Sequence, residues 1–215
     1  MSRKITALQV QKRNSNRVNV FLDEEFAFGL SRIVAAWLQV GQELSDEKIA
    51  QLQAGDTHEV AYQRALNFLN YRPRSEAEVR RNLEEHHIPE QTICQVVERL
   101  KGNGLLNDER FAQNWIENRS EFHPRSRRAL AMEMRQHGLD SETIDQALQD
   151  VDDEQLAYQA AVKQARKLKD LEWADFRMKL TSYLARRGFA YDSTKQAVLR
   201  VWHEIDTGNL DMKES

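Results

Sequence analysis

The chain has 215 residues, 40% hydrophobic and 30% charged, with a formal net charge of −3 at pH 7. That polar balance suits small helical units that each bury one stripe and argues against a single thick core. Three Pro and eight Gly exclude a loop-rich all-β protein and collagen.

The opening residues differ from the rest. Residues 5–11 and 17–22 carry β-branched and aromatic side chains, and Val18, Val20 and Leu22 alternate with polar neighbours. The polar cluster at 12–16 between them predicts a β-hairpin, and 26–28 adds a short third strand. An isolated hairpin is marginal in water, so it must pack on the helices C-terminal to it. Ser31 then caps a helix that buries Ile33, Val34, Trp37 and Leu38 and stops at Gly41. Ser45 caps a further short helix through Ile49 and Leu52, closed near Gly55. The longest purely apolar run, 33–38, is far short of the roughly 20 residues that a membrane span needs. No apolar stretch after Arg3 and Lys4 reads as a secretory signal. With Cys94 as the sole cysteine there is no intrachain disulfide or thiolate metal cluster. The expectation is a reduced, cytoplasmic protein, helical from residue 56 onward.

That helical region repeats. Ser75-Glu-Ala-Glu-Val-Arg-Arg-Asn-Leu83 with Ile88 aligns with Ser126-Arg-Arg-Ala-Leu-Ala-Met-Glu-Met134 with Leu139. Both align with Phe176-Arg-Met-Lys-Leu-Thr-Ser-Tyr-Leu184 with Phe189. Val79, Leu130 and Leu180 are equivalent, as are Leu83, Met134 and Leu184, and then Val97, Leu148 and Val198. A period of about fifty residues signals a helical array. The fold class read here is mainly α: a tandem array of three three-helix repeats, elongated and curved, behind a small β-hairpin and helices. The boundaries fall at 1–55, 56–106, 107–153 and 154–206, with a polar tail at 207–215 expected to fray.

In the first repeat the helices are expected at 57–70, 76–86 and 89–101, with Ser75 and Glu78 as a capping box and Pro89 in a first turn. Gly102 and Gly104 stop the third helix and Asn107 caps the next. Gly138 and Gly188 stand where a left-handed residue ends the second helix of repeats two and three. His87 holds that place in the first repeat, at a cost of about 1 kcal/mol.

Catalytic chemistry finds little support. His58, His86, His87, His123, His137 and His203 are scattered, without an HExxH or a Cys/His cluster. Cys94 falls beside Ile93, Val97 and Leu100 and reads as a buried core thiol. Trp115, Trp173 and Trp202 read as core. No Gly-rich loop follows a strand, so neither a P-loop nor a dinucleotide site is indicated. No metal or cofactor is expected, and no enzyme.

The informative signal is a loop that occurs twice, as Tyr71-Arg72-Pro73-Arg74-Ser75 and as His123-Pro124-Arg125-Ser126-Arg127-Arg128. Pro holds its predecessor extended and Ser caps the helix. Arginine beside a helix N-terminus opposes the macrodipole by about 0.3–1 kcal/mol when exposed. Such an end with adjacent Arg is, however, a good receptor for phosphate or carboxylate. The alternative is purely structural, with Arg74 paired to Glu78 and Arg125 to a nearby acid. Repeat three has Ala174-Asp175-Phe176 at this place. Its cations lie at Lys163, Arg166, Lys167 and Lys169, then at Arg186 and Arg187, where a solvated helical face is the plainer account.

Three stretches together carry a family resemblance: Tyr71-Arg-Pro-Arg-Ser-Glu76, Val96-Val-Glu-Arg-Leu100 and Gly104-Leu-Leu-Asn-Asp-Glu-Arg-Phe-Ala112. They resemble the RecX regulators of the RecA recombinase, whose longer members also carry an N-terminal hairpin ending in a Phe-Ala-Phe-Gly stretch. The third repeat departs most from the pattern. The resemblance implies a non-enzymatic monomer that binds RecA assembled on single-stranded DNA and restrains filament extension, ATPase and recombination or SOS activities. Arg72, Arg74, Arg125, Arg127 and Arg128 are the expected contacts, with Lys163 and Lys167 beside them. The other reading is a helical array that binds single- or double-stranded DNA directly, with a steep salt dependence.

Overall fold

The structure is a computed structural model that describes residues 2–208. The part of the tail at 209–215 lies outside the described residues. The chain divides into two compact units, residues up to Arg74 with Glu78–Leu106, and Ser75–Ala77 with the residues from Asn107 onward.

The first unit opens with strands β1 (Ser2–Gln11), β2 (Asn14–Leu22) and β3 (Glu25–Ser31). The hairpin is present, but its turn is only Lys12 and Arg13. Asp23 and Glu24, both at positive φ (51° and 70°), make the next two-residue turn, as the right-handed strand twist requires. Helix α1 is the single turn Arg32–Ala35, so the expected helix through Leu38 does not form. Ala35 and Leu38 reach the core, whereas Ile33 and Trp37 are exposed. The chain must return to the sheet. Gly41 N–H donates to the Ile5 carbonyl and Ile5 N–H to the Gln42 carbonyl, each at 2.8 Å. Strand β4 (Glu43–Ser45), not anticipated, then pairs with β1, giving the order β3-β2-β1-β4. Val18, Val20 and Leu22 face inward with Ile5, Leu30 and Leu44, as the alternation predicted.

Ser45 does cap the next helix, accepting from Lys48 N–H at 3.2 Å. That helix, α2 (Asp46–Leu69), runs straight through Gly55. One interior glycine costs about 1 kcal/mol, and α2 docks at both ends. Ile49 and Leu52 pack on the sheet core, while Ala61, Tyr62 and Ala65 enter the first helical core. At the junction Asp56 is buried; it accepts from Ser31 N–H and pairs with Arg17 at 3.0 Å. Helices α3 (Glu76–Glu84) and α4 (Glu90–Gly102) complete the repeat. Cys94 is exposed, contrary to expectation. The buried stripe of α4 runs Ile93, Val96, Val97, Leu100. Cys94 is one position around from it, between Glu90 and Arg80.

The second unit holds α5 (Asp108–Phe122), α6 (Arg127–Gln136), α7 (Ser141–Ala147), α8 (Asp153–Ala165), α9 (Trp173–Arg186) and α10 (Tyr191–Asp206). Repeats two and three share one core from Phe111 to Val201, against which Trp115, Trp173 and Trp202 pack half-buried. The aligned positions Val79, Leu130 and Leu180, and Leu83, Met134 and Leu184, are all fully buried. The three second helices end alike. His87, Gly138 and Gly188 have φ of 57°, 83° and 87°. The amides of Ile88, Leu139 and Phe189 donate to the carbonyls of Leu83, Met134 and Leu184 at 3.2, 3.2 and 3.3 Å. This is the Schellman closure, with its apolar contact across the turn.

Inside the second unit these closures meet helix entries. A Cβ on Gly138 would lie 2.3 Å from the Ala77 Cβ, and one on Gly188 2.7 Å from the Ser126 hydroxyl. Ser75 donates to the His137 carbonyl. Ser126 N–H donates to the Arg187 carbonyl at 3.2 Å, and Arg187 donates back to the Pro124 carbonyl at 3.0 Å. Both serines are fully buried. Within this unit the serine entry and the glycine one repeat later are two halves of one joint.

Candidate cationic groove

The anion-receptor reading of the helix entries meets a direct answer. The first-turn amide of Glu76 donates to Asp108 at 2.8 Å, and that of Arg127 to Asp153 at 2.6 Å. Each aspartate opens the first helix of the following repeat, so at each entry one of the helix-terminal N–H groups already has a carboxylate. The loop arginines are also engaged. Arg72 donates to Glu78 at 2.6 Å. Arg74 lies 3.6 Å from the same carboxylate and stacks over Phe68 at 4.0 Å.

Arg125 behaves similarly in repeat two, 3.0 Å from Glu133. Glu133 also accepts from Trp115 Nε1 and Arg119 Nε, both at 2.8 Å. Arg119 lies over the Trp115 ring at 4.5 Å, and His137 sits 4.5 Å from that ring on centroids. This cluster forms one wall of a groove of about 550 Å³. Arg128 and Arg186 complete its charge, so four arginines surround a single carboxylate. Arg128 and Arg186 are exposed, and no carboxylate pairs with either among the described residues. Met132, also lining, is half exposed. Guanidinium groups around an apolar and aromatic floor suit carboxylate or phosphate recognition with apolar contact.

Of the seven expected contact residues, Arg125 and Arg128 meet in this groove. Arg127, Lys163 and Lys167 are exposed elsewhere on the second unit, with the Lys163 ammonium on the Glu121 carbonyl. Arg72 and Arg74 belong to the first unit. Arg119 and Met132 escaped notice, and Trp115, read as core, packs half-buried on the core while also lining the groove. The signal was there: Arg128, Met132 and Gln136 repeat every four residues on α6, and Trp115 and Arg119 do so on α5, which puts each set on one helical face. Among the described residues no group of three or more His, Cys, Asp or Glu is placed to hold a metal ion. None of their helices is long and apolar enough to cross a membrane.

Three-helix repeats whose second helices share one closure, preceded in the chain by a small sheet, define a tandem helical-repeat protein. Family models cover it in order: Regulatory protein RecX N-terminal domain at 3–45, and the RecX first, second and third three-helix domains at 61–100, 107–148 and 152–198. The chain belongs to the RecX family. It is 34% identical over 209 residues to regulatory protein RecX of Bacillus velezensis, covering 94% of this chain and 79% of that protein. With regulatory protein RecX of Bacillus subtilis the figures are 33% over 208 residues, 94% and 78%. A crystal structure of regulatory protein RecX superposes with TM-score 0.66 at 25% identity, over 94% of this chain and 93% of that one. RecX from Lactobacillus salivarius gives TM-score 0.60 at 23% identity, over 71% and 99%.

Proposed function

We propose that this chain is a non-catalytic regulator that binds the RecA recombinase filament on single-stranded DNA and restrains its extension, ATPase and recombination or SOS activities. Family membership along the whole array supports the partner, and the arginine-rich groove of the second unit supports the mode. Arg128 and Arg186 face solvent without a carboxylate partner among the described residues, so they meet the partner's anionic groups directly. Arg125 is held in place by Glu133 and shapes the groove wall. Arg127, Lys163 and Lys167 add further cationic contacts, while Arg72 and Arg74 on the first unit are held by Glu78. Linked weak contacts along a repeat array reinforce one another through effective concentration. The protein acts as a monomer in the cytoplasm.

The test is RecA's DNA-dependent ATPase with this protein titrated far below one per RecA, alongside binding to the bare DNA at matched salt. Inhibition at concentrations that leave free DNA unbound is expected. R128E/R186E should weaken that inhibition about tenfold while the helical circular dichroism stays unchanged. Inhibition only where bare DNA is saturated, with binding that falls steeply with salt, would favour competition for the strand instead.

A further inference from the structure

The first unit carries a larger groove that the proposed function does not use, about 1060 Å³, between the end of the hairpin and the outer side of α2. Ile33, Val60, Phe68 and Tyr71 form its apolar surface. Ile33 is 62% exposed and Tyr71 86%, so both offer apolar surface that a partner would remove from water. The amides of Asn14, Asn16, Gln63 and Asn67 line the same walls.

The exposed charge in this groove has one sign. Arg32 and Arg64 line it, both exposed and, among the described residues, without a carboxylate partner. Arg17 is committed to Asp56. The lining carboxylate, Glu59, is buried and paired with Arg99 at 3.1 Å.

We propose that this groove docks a short acidic segment of a protein partner that carries one large apolar side chain. The apolar side chain fills the floor between Ile33, Val60 and Tyr71. Its flanking carboxylates pair with Arg32 and Arg64, where planar guanidinium groups accept bidentate geometry. The side-chain amides of the walls serve the segment's backbone. The observations favour a peptide over single-stranded nucleic acid. A strand needs a row of open rings and cations along its backbone, whereas Tyr71 is open and the Phe68 face is covered by Arg74. A symmetric dimer through this groove is disfavoured too, because it would bring Arg32 and Arg64 against their own copies.

The test uses the full chain and fluorescence anisotropy with a labelled peptide of Asp and Glu around a single Phe. Saturable binding is expected, weakened about tenfold by R32E/R64E. It should also weaken when the acids become amides or the Phe becomes Ala. Arg32 and Arg64 are exposed, so circular dichroism should show both variants folded; I33D is a second, independent probe of the floor. No saturation below about 1 mM peptide, or parental affinity in R32E/R64E and I33D alike, overturns the proposal. So does selective loss of labelled oligothymidylate binding in R32E/R64E, or concentration-dependent dimerisation that those substitutions abolish. The RecA ATPase assay reads the second unit's groove separately, so failure of one proposal leaves the other distinguishable.

Discussion

The three second helices differ at their two ends in opposite senses. α3 and α6 are entered through Pro-Arg-Ser, whereas α9 starts earlier, at Trp173 after Glu172, so that Ala174-Asp175-Phe176 lies inside it; α6 and α9 leave through glycine, and α3 through His87. Within the second unit each Ser entry is packed by a glycine exit: Ala77 by Gly138, and Ser126 by Gly188. His87 and Ala174 are exposed. What recurs in the sequence is therefore the joint as much as the repeat. Where an entry packs on an exit, glycine is required twice over, for its positive φ and for its missing Cβ. Where none does, only the milder φ requirement remains, and histidine meets it.

The joint is most sensitive at Gly138. Gly138→Ala should cost about 3 kcal/mol or more, combining left-handed strain with overpacking against a Cβ that has no rotamer to yield. Gly188→Ala should cost less, because the Ser126 hydroxyl can turn away. Urea midpoints check both, and a G138A cost below about 1 kcal/mol would sink the joint as described.

The loop carboxylates give the next contrast. Glu133→Ala removes the partner of Trp115, Arg119 and Arg125, and should cost about 2 kcal/mol. Glu78→Ala, beside the half-exposed Arg72, should cost less. Equal costs would mean that the tryptophan and Arg119 contacts contribute nothing.

His87→Gly should gain about 1 kcal/mol, read as a rise in midpoint. Unchanged stability would imply that the exposed exit bears no strain.

The smallest effect concerns the third helices. Asp140 caps α7 with its side chain, whereas Pro89 and Ala190 cap α4 and α10 without one. Hydrogen bonds from the Thr143 amide and hydroxyl hold the Asp140 carboxyl below its ordinary value. A depressed pKa in the folded state stabilises above the unfolded value and is lost as pH falls through the folded one. The midpoint difference between Asp140→Ala and the parent should therefore be full at neutral pH. It should close as acid passes below the ordinary aspartate range, and a pH-independent difference would show that the charge plays no part.

Much of the fold was legible because helical spacing maps directly onto burial. Val79, Leu83 and Val97 and their equivalents were aligned on sequence and are buried in every repeat. The left-handed exits were legible because glycine at a fixed offset has a stereochemical meaning. Cys94 was misplaced because a stripe of four apolar residues does not reveal its own edge. Trp37 and Ile33 were misplaced because the pairing of β4 with β1, distant in sequence, cut α1 short. Gly55 was read as a stop because local propensity carries no knowledge of two cores waiting at either end of α2. Of the candidate site, the loop arginines stood out by position. Glu78 as the partner of Arg74 was legible too, and so was an acid beside Arg125; the identity of that acid, Glu133, and the clustering with Arg119 and Arg186 were not, since α5, α6 and α9 contribute separately.

The sequence by itself determined the class, the repeat, the positions of the buried stripes and the closures that end the second helices. All of these rest on periods and stereochemistry within about one repeat. Only the tertiary structure decided which cations are spent on structure and which are free. It placed Asp108 and Asp153 on the helix entries, bound Arg72, Arg74 and Arg125 to glutamates, and left Arg128 and Arg186 facing solvent. The physical reason is that a charge's role depends on the sign and distance of its neighbours in space, and those neighbours come from other helices.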